Sequence, residues 1–345
     1  MQRGKSSVGP VAMRTGAAVV LLIWFGAAVP AIGAAQERAP PPVSVRLGFN
    51  VNSARNMAEI PNVIAQRKGF FEREGLAVTM VPLMGTTHMV AALDKGDVDA
   101  TGTALPYMIQ AVLKGSDAAA VIGGVANTIY SLIAKADLHT IADLKGKVVA
   151  LSAPPDTITL STRMLLAKRG LKDGDYRTKQ IIGSTQRGAC LASGACDAVP
   201  LGQPDDIVFQ EKGFRKLGDS LEVMPNLQFN VIAVRRSWAA AHKDSVVALA
   251  RAYGATFRYL RDPANRADVT RAVVELTGTN EQVARAVLAL YYDPDRGVMP
   301  RQAEVNMAGV AKVLAILSDA GLIGKPVPAV DRFVDLQYLQ AAQLQ

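Results

Sequence analysis

Small hydroxyl residues next to glycine recur in this sequence where a strand gives way to a helix: Gly85-Thr86-Thr87, Thr101-Gly102-Thr103 and Gly183-Ser184-Thr185. Such stretches expose backbone N–H groups at a helix start and add an O–H, a combination that holds an anion without a mobile counter-charge. Thr86, Thr87, Thr103, Thr157 and Thr185 are the candidate donors, and ordinary N-capping is the competing role for each. Arg55 and Arg187 are candidate clamps, because guanidinium offers a carboxylate or sulfonate two parallel donors. The alternative for both is a solvated surface arginine. Asn52, Asn127, Gln203 and Asn230 can complete a polar lining. Tyr107 offers a flat face and a polar tip, unless it packs within its helix. Asp156 either caps the helix beginning at Thr157 or reads an ammonium or ring N–H of a ligand.

This is the chemistry of reversible capture rather than of bond making. Of the three histidines, His88, His139 and His242, only His88 sits beside an expected cleft loop, and no Asp or Glu partner and no nucleophile is evident near it in sequence. No nucleophile elbow, P-loop, HExxH or GxGxxG stretch occurs, and Gly123-Gly124 alone is a weak dinucleotide signal. Cys190 and Cys196 form no CxxC, which argues against redox catalysis and zinc binding. Six residues apart, they either pair across a helix-end turn or remain two buried thiols. No metal and no cofactor is expected.

The elements that must position these residues read as repeated βα units. Residues 43–49 alternate as a strand, Pro61 suits the first turn of a helix, Gly69 and Gly75 bracket a turn, and 76–81 is a second strand. Further strands are expected at 98–100, 118–123, 148–151, 179–182, 195–199 and 227–234, with the helix after Thr103 starting at residue 104. From Trp238 onward the chain is mostly helical. Val246, Leu249, Ala250, Tyr253, Phe257 and Leu260 form one apolar stripe; Val283, Ala286, Val287 and Leu290 form a second; Val305, Val313, Leu314 and Leu317 form a third. The fold class is therefore α/β, with two lobes, each a mainly parallel sheet flanked by helices, and a helical C-terminal portion. Crossings near 126–131 and 223–229 place lobe one at 43–128 plus 230–345 and lobe two at 129–229. A cleft between them is where ligands bind in such proteins.

The chain has 345 residues and a formal net charge of +8. Residues 1–35 contain Arg3, Lys5 and Arg14 and no acid, which leaves +5 on the rest. That basic start, the apolar run 16–29 and the small residues Ala31, Ala34 and Ala35 have the order of a secretory signal peptide. No Cys follows the run to accept a lipid, and 36–42, with three consecutive prolines, reads as a mobile lead-in. The mature protein is expected to be a soluble periplasmic monomer. Its mild charge lacks the dense basic patches of a nucleic-acid binder.

Four stretches carry a family likeness: IPNVIAQRKGFFEREGLAV at 60–78, ALDKGDVDATGTALPYMIQAVLKG at 92–115, TIADLKGKVVALS at 140–152 and LASGACDAV at 191–199. In order and spacing the chain resembles periplasmic solute-binding proteins of the nitrate/sulfonate/taurine type, including relatives that bind a thiamine pyrimidine precursor. The resemblance implies a type II periplasmic-binding-protein fold and delivery of a small anionic, zwitterionic or polar organic solute to an ABC permease and its ATPase. It also implies an aromatic wall, for which Phe49, Tyr107 and Phe229 are available. The prolines Pro154 and Pro155 remove N–H donors from a loop that is more Gly- and Ser-rich in many relatives, which favours a larger organic ligand over nitrate. Two other roles fit the same scaffold: reporting ligand occupancy to a membrane receptor, and pyrimidine-precursor chemistry.

Overall fold

The computed structural model describes residues 41–344 apart from 52–55, 128 and 294–297, together with Gly9. The segment 1–35 read as a signal peptide, apart from Gly9, most of the lead-in, Asn52 and Arg55 lie outside the described residues.

Among the described residues, ten strands form two five-stranded sheets. The first contains β1 (Val43–Asn50), β2 (Leu76–Leu83), β3 (Ala100–Ala104), β4 (Ala118–Gly123) and β10 (Asn230–Arg235), in the order β2-β1-β3-β10-β4. The second contains β5 (Ser131–Ala134), β6 (Val148–Leu151), β7 (Arg177–Gln180), β8 (Ala198–Leu201) and β9 (Arg215–Asp219), in the order β7-β6-β8-β5-β9. The expectation of mainly parallel sheets is met with one systematic exception. β10 runs antiparallel to β3 and β4, and β5 runs antiparallel to β8 and β9. Each exception is the strand the chain forms on arriving from the other sheet, and it runs opposite to the remaining strands of its sheet.

The sheets share a local device. In Gly96-Asp97-Val98-Asp99-Ala100 and Gly194-Ala195-Cys196-Asp197-Ala198, the second-to-last residue is an aspartate at the foot of β3 and of β8 respectively. The Asp99 N–H donates to the Arg46 carbonyl at 2.9 Å, and its carboxylate accepts the Arg46 main-chain N–H at 2.8 Å. Asp197 does the same with Val148, at 2.8 Å in both directions. A side chain that pairs one backbone group while its own backbone pairs another fixes the register of β3 on β1 and of β8 on β6.

The helices are α1 (Ile60–Arg67), α2 (Phe70–Arg73), α3 (Thr86–Lys95), α4 (Leu105–Leu113), α5 (Thr157–Lys168), α6 (Ser184–Ala192), α7 (Asp205–Glu211), α8 (Arg236–Ala241), α9 (Lys243–Arg261), α10 (Arg266–Thr277), α11 (Glu281–Tyr291), α12 (Met307–Asp319) and α13 (Gln337–Ala342). Strand pleating sends successive side chains to opposite cores. Ile232 and Val234 join one cluster with Val45, Leu47, Ile60 and Phe71, while Val231 and Ala233 join another with Met108, Ile109 and Val112. Val149 and Leu151 face Leu165 and Leu166, while Ala150 faces Leu191 and Val199.

The α9 stripe falls where the periodicity puts it, with all six residues buried in the first cluster. The α11 stripe is turned by one position: Val283 and Val287 are buried with Ala284 and Leu288, and Ala286 is exposed. α12 supplies the second cluster of the first sheet and approaches the 223–229 crossing closely. A Cβ on Gly309 would lie 2.4 Å from the Leu227 carbonyl carbon. Asn306 reinforces the seat, donating its N–H to Gln228 Oε1 at 2.7 Å and its Nδ2 to the Leu227 carbonyl at 3.3 Å. Cys190 and Cys196 form a disulfide with Cα atoms 5.3 Å apart, closing the turn from α6 to β8.

Candidate functional site

Where the two crossings pass between the sheets they hydrogen-bond to each other. Phe229 and Asn230 both donate from their N–H groups to the Val125 carbonyl at 3.1 Å, and Gly124 N–H returns to the Asn230 carbonyl at 3.1 Å. Asn127 Oδ1 accepts the Leu227 N–H at 2.7 Å. Glycine is needed here for space. A Cβ on Gly123 would lie 1.8 Å from the Glu304 carbonyl oxygen, and one on Gly124 would lie 2.4 Å from Asn230 Oδ1.

Above this floor lies a cleft with about 1020 Å³ of space between atoms, open solvent at its mouth included. Lobe one contributes Asn50, Glu59, Asn62, Thr86 and Thr103 to the polar lining, Asn127 and Asn230 come from the crossings, and lobe two contributes Tyr130 and Gly202. Phe229, Tyr253, Phe257 and Tyr291 supply aromatic surface, with Tyr130 and Phe229 meeting edge to face at 6.3 Å. The lining suits a small solute with an apolar or planar body and a few polar groups.

The loop after β1 is tied to the start of α3. Asn50 Oδ1 accepts the Gly85 N–H at 3.2 Å, and Asn50 Nδ2 lies 3.5 Å from Thr86 Oγ1. This holds the amino end of α3 against the cleft through Thr86. Thr103 Oγ1 and Asn230 Oδ1 are buried without a hydrogen-bond partner, an uncommon state for buried polar atoms. Among the described lining residues Glu59 is the only one with a formal charge. Burial pushes its carboxyl up to about 7, against the opposing hydrogen bond from Asn62.

Residues 38–274 match the NMT1-like family. The chain belongs to that family. Among sequence relatives, the bicarbonate transport ATP-binding protein CmpC of Synechocystis sp. (strain PCC 6803) is 26% identical over 231 residues, covering 61% of this chain and 34% of its own length. The chain thus spans about a third of the length of the curated relatives it matches. Among solved structures, the alkanesulfonate-binding protein SsuA from Xanthomonas axonopodis pv. citri, bound to MOPS, superposes with a TM-score of 0.67 at 20% identity, covering 86% of this chain and 99% of that one. The periplasmic nitrate-binding protein NrtA from Synechocystis PCC 6803 gives a TM-score of 0.70 at 16% identity, covering 87% of this chain and 88% of that one. At these identities the superpositions establish the shared two-lobed fold.

Within this NMT1-like chain, the residues singled out from sequence scatter. Thr86, Thr103, Asn127 and Asn230 line the cleft. Thr103 does so from inside β3, since the strand continues to Ala104 and the helix starts one residue later than expected. Thr87 and Tyr107 line a separate shallow depression between α3 and α4. Burial and then the charge of Asp156 raise the Tyr107 hydroxyl to about 12. Asp156 caps α5, its Oδ1 accepting the Ile158 N–H at 2.9 Å, and Thr157 is buried in the first turn that follows. Thr185 is exposed on α6.

Arg187 does not line the cleft. It is 1% exposed and donates to the carbonyls of Pro200 at 2.8 Å and Ile181 at 3.3 Å. Gln203 is also buried, donating to Asp206 Oδ2 at 2.8 Å and accepting from the Tyr291 hydroxyl at 3.3 Å. Phe229 belongs to the wall, and Phe49 does not. Sequence reasoning passed over Glu59, Asn62 and Tyr253. Their one visible signal is a Glu and an Asn three apart around Pro61 in a helix start, a spacing that brings both to one face.

Proposed function

We propose that this protein is an extracytoplasmic solute-binding protein that captures a small anionic or zwitterionic organic solute between its lobes and delivers it to an ABC permease and its ATPase. The reading is supported above all by one observation: a cleft floored by two crossings and lined by residues of both lobes, in a chain of the NMT1-like family. Capture follows from geometry. Two sheets joined by two short crossings rotate as bodies, and a solute that touches both favours the closed arrangement. An anionic group is held at the amino end of α3, where Thr86 and the helix dipole face the cleft. The named functions of the relatives, binding of alkanesulfonate by SsuA and of nitrate by NrtA, support the same class of role. The chain acts as a binder and not a catalyst on this reading, and the periplasm is its place of work. The disulfide accords with an oxidising compartment.

Native mass spectrometry of protein purified from cells, followed by thermal shifts with sulfonates, carboxylates, amino acids and pyrimidines, tests the reading. A bound small molecule and a stabilisation that grows with its concentration are expected. Preference for metal cations or long sugars would overturn it.

A further inference from the structure

Glu59 closes a one-turn 3-10 helix, Met57–Glu59, whose start is pinned by Asn56 Oδ1 accepting the Ala58 N–H at 3.0 Å. One carboxylate oxygen, Oε2, accepts Asn62 Nδ2 at 2.8 Å. Asn62 Oδ1 in turn accepts the hydroxyl of Tyr253. Tyr253 is 1% exposed on α9 and locked edge to face with Phe71 at 5.8 Å. With the tyrosine hydroxyl donating to the amide oxygen, the amide N–H₂ points at Glu59. The core therefore holds Glu59 as an acceptor, with Oε1 left without a hydrogen-bond partner among the described residues.

We propose that Glu59 is a specificity-determining residue, and that the solute presents an N–H donor, a protonated amine or a ring N–H, to its open oxygen. This deepens the solute-binding reading above and rests on it. A carboxylate in a partly desolvated cleft is costly unless a donor meets it. The unpaired Thr103 Oγ1 and Asn230 Oδ1 in the same lining add two further acceptors. A sulfonate or carboxylate placed against Glu59 would meet a like charge, so the anionic head must sit elsewhere, and the α3 amino end at Thr86 provides that place. The cleft is thus dipolar: a donor-seeking end at Glu59 and an anion-seeking end at Thr86. The solute it fits is a zwitterion, or a ring compound carrying both kinds of group.

The test uses matched probes that differ in the donor: 2-aminoethanesulfonate against ethanesulfonate, 3-aminopropanoate against propanoate, and uracil against 1,3-dimethyluracil. Binding to the full mature protein and to E59Q is measured by calorimetry, with urea unfolding confirming that the variant folds. The amine pairs and the uracil pair distinguish an ammonium from a ring N–H. The donor-bearing member of at least one pair should bind at least about tenfold tighter than its partner, the size of a charge-assisted hydrogen bond, and E59Q should erase that preference. Asn62→Leu, which removes the donor that positions the Glu59 carboxylate, should reduce it part-way.

Donor-free probes binding as well as their partners, or a preference that survives in E59Q, overturns the assignment and leaves the solute-binding reading standing. If no probe binds and no small molecule co-purifies, both fail.

Discussion

In lobe one, Gly85 is followed by Thr86, Thr87, His88 and Met89; in lobe two, Gly183 is followed by Ser184, Thr185, Gln186 and Arg187. Both glycines take positive φ, 83° and 96°, and both open the helix after an edge strand of their sheet, β2 and β7. Four residues later the lobes diverge. Met89 and Arg187 are each 1% exposed, but the methionine presents a soft apolar surface to the cleft while the arginine turns inward to two backbone carbonyls. The contrast extends to the polar groups nearby. In lobe two, Asp206 gathers the hydroxyl of Ser131 at 2.7 Å, the amide of Gln203 and the N–H of Ile207 at 2.8 Å. In lobe one and at the floor, Glu59, Thr103 and Asn230 keep acceptors open. Two lobes with one strand order thus use polar side chains for different ends. On this reading lobe one recognises the solute, and lobe two, internally satisfied, closes over it.

The largest expected effect tests whether Arg187 is structural. Arg187→Met removes two buried hydrogen bonds and the cation whose field offsets the buried Asp156. It should cost about 3 kcal/mol in urea unfolding and leave solute affinity within about threefold. An affinity loss exceeding the stability loss would reverse the comparison.

Next comes a pH effect in lobe one. In the folded protein Glu59 holds its proton up to about 7, against 4.5 as its ordinary value. The native state therefore binds more protons than the unfolded chain between those limits. The stability contribution is present below pH 4.5 and is lost as pH rises through about 7. Relative to E59Q, the wild type should lose about 2 kcal/mol of unfolding free energy over that window, after allowance for the water that reaches the cleft. The Tyr253 hydroxyl, the titratable group behind Asn62, is pushed further up by burial and stays neutral throughout. Parallel pH curves for the two proteins would show Glu59 to be solvated like a surface carboxyl.

The smallest effects come as a pair. Ser131→Ala should cost about 1–2 kcal/mol of stability, because it strips a partner from buried Asp206. Thr103→Val should leave stability nearly unchanged, since its hydroxyl has no partner to lose, and should weaken solute binding by about 1 kcal/mol. Equal stability losses at both positions would erase the distinction between the lobes.

The scaffold was legible where a single periodicity decides burial. The α9 stripe follows from spacing alone, and the Asp156 cap was one of two readings that its place before Thr157 allowed. The α11 stripe slipped because Ala284 and Ala286 satisfy the helical period equally well, and only packing against neighbouring helices chooses between them. The site was less legible because direction, not residue type, decides it. Arg187 stands among polar neighbours near a helix start, where solvent or ligand is the natural reading. Its stem instead threads inward to carbonyls 6 and 13 residues away. Glu59 sits within a stretch whose regularity reads as a helix start. Its partner Tyr253 lies 191 residues from Asn62, beyond the reach of any local pattern.

The close seat of α12 on the second crossing limits how the halves can part. From Leu227 onward that crossing is moored to lobe one by Gly309 and Asn306, so bending there would drive backbone into backbone. The mooring continues upstream, where Lys312 Nζ donates to the Pro225 carbonyl at 2.6 Å and Met224 is buried in the same cluster as Leu227, so a pivot in this crossing should lie on the lobe-two side of Met224. A strap fixed at one end swings rather than slides. Lobe two should therefore open along a single arc, carrying Tyr130 and Gly202 away together while the donor-seeking end stays in place.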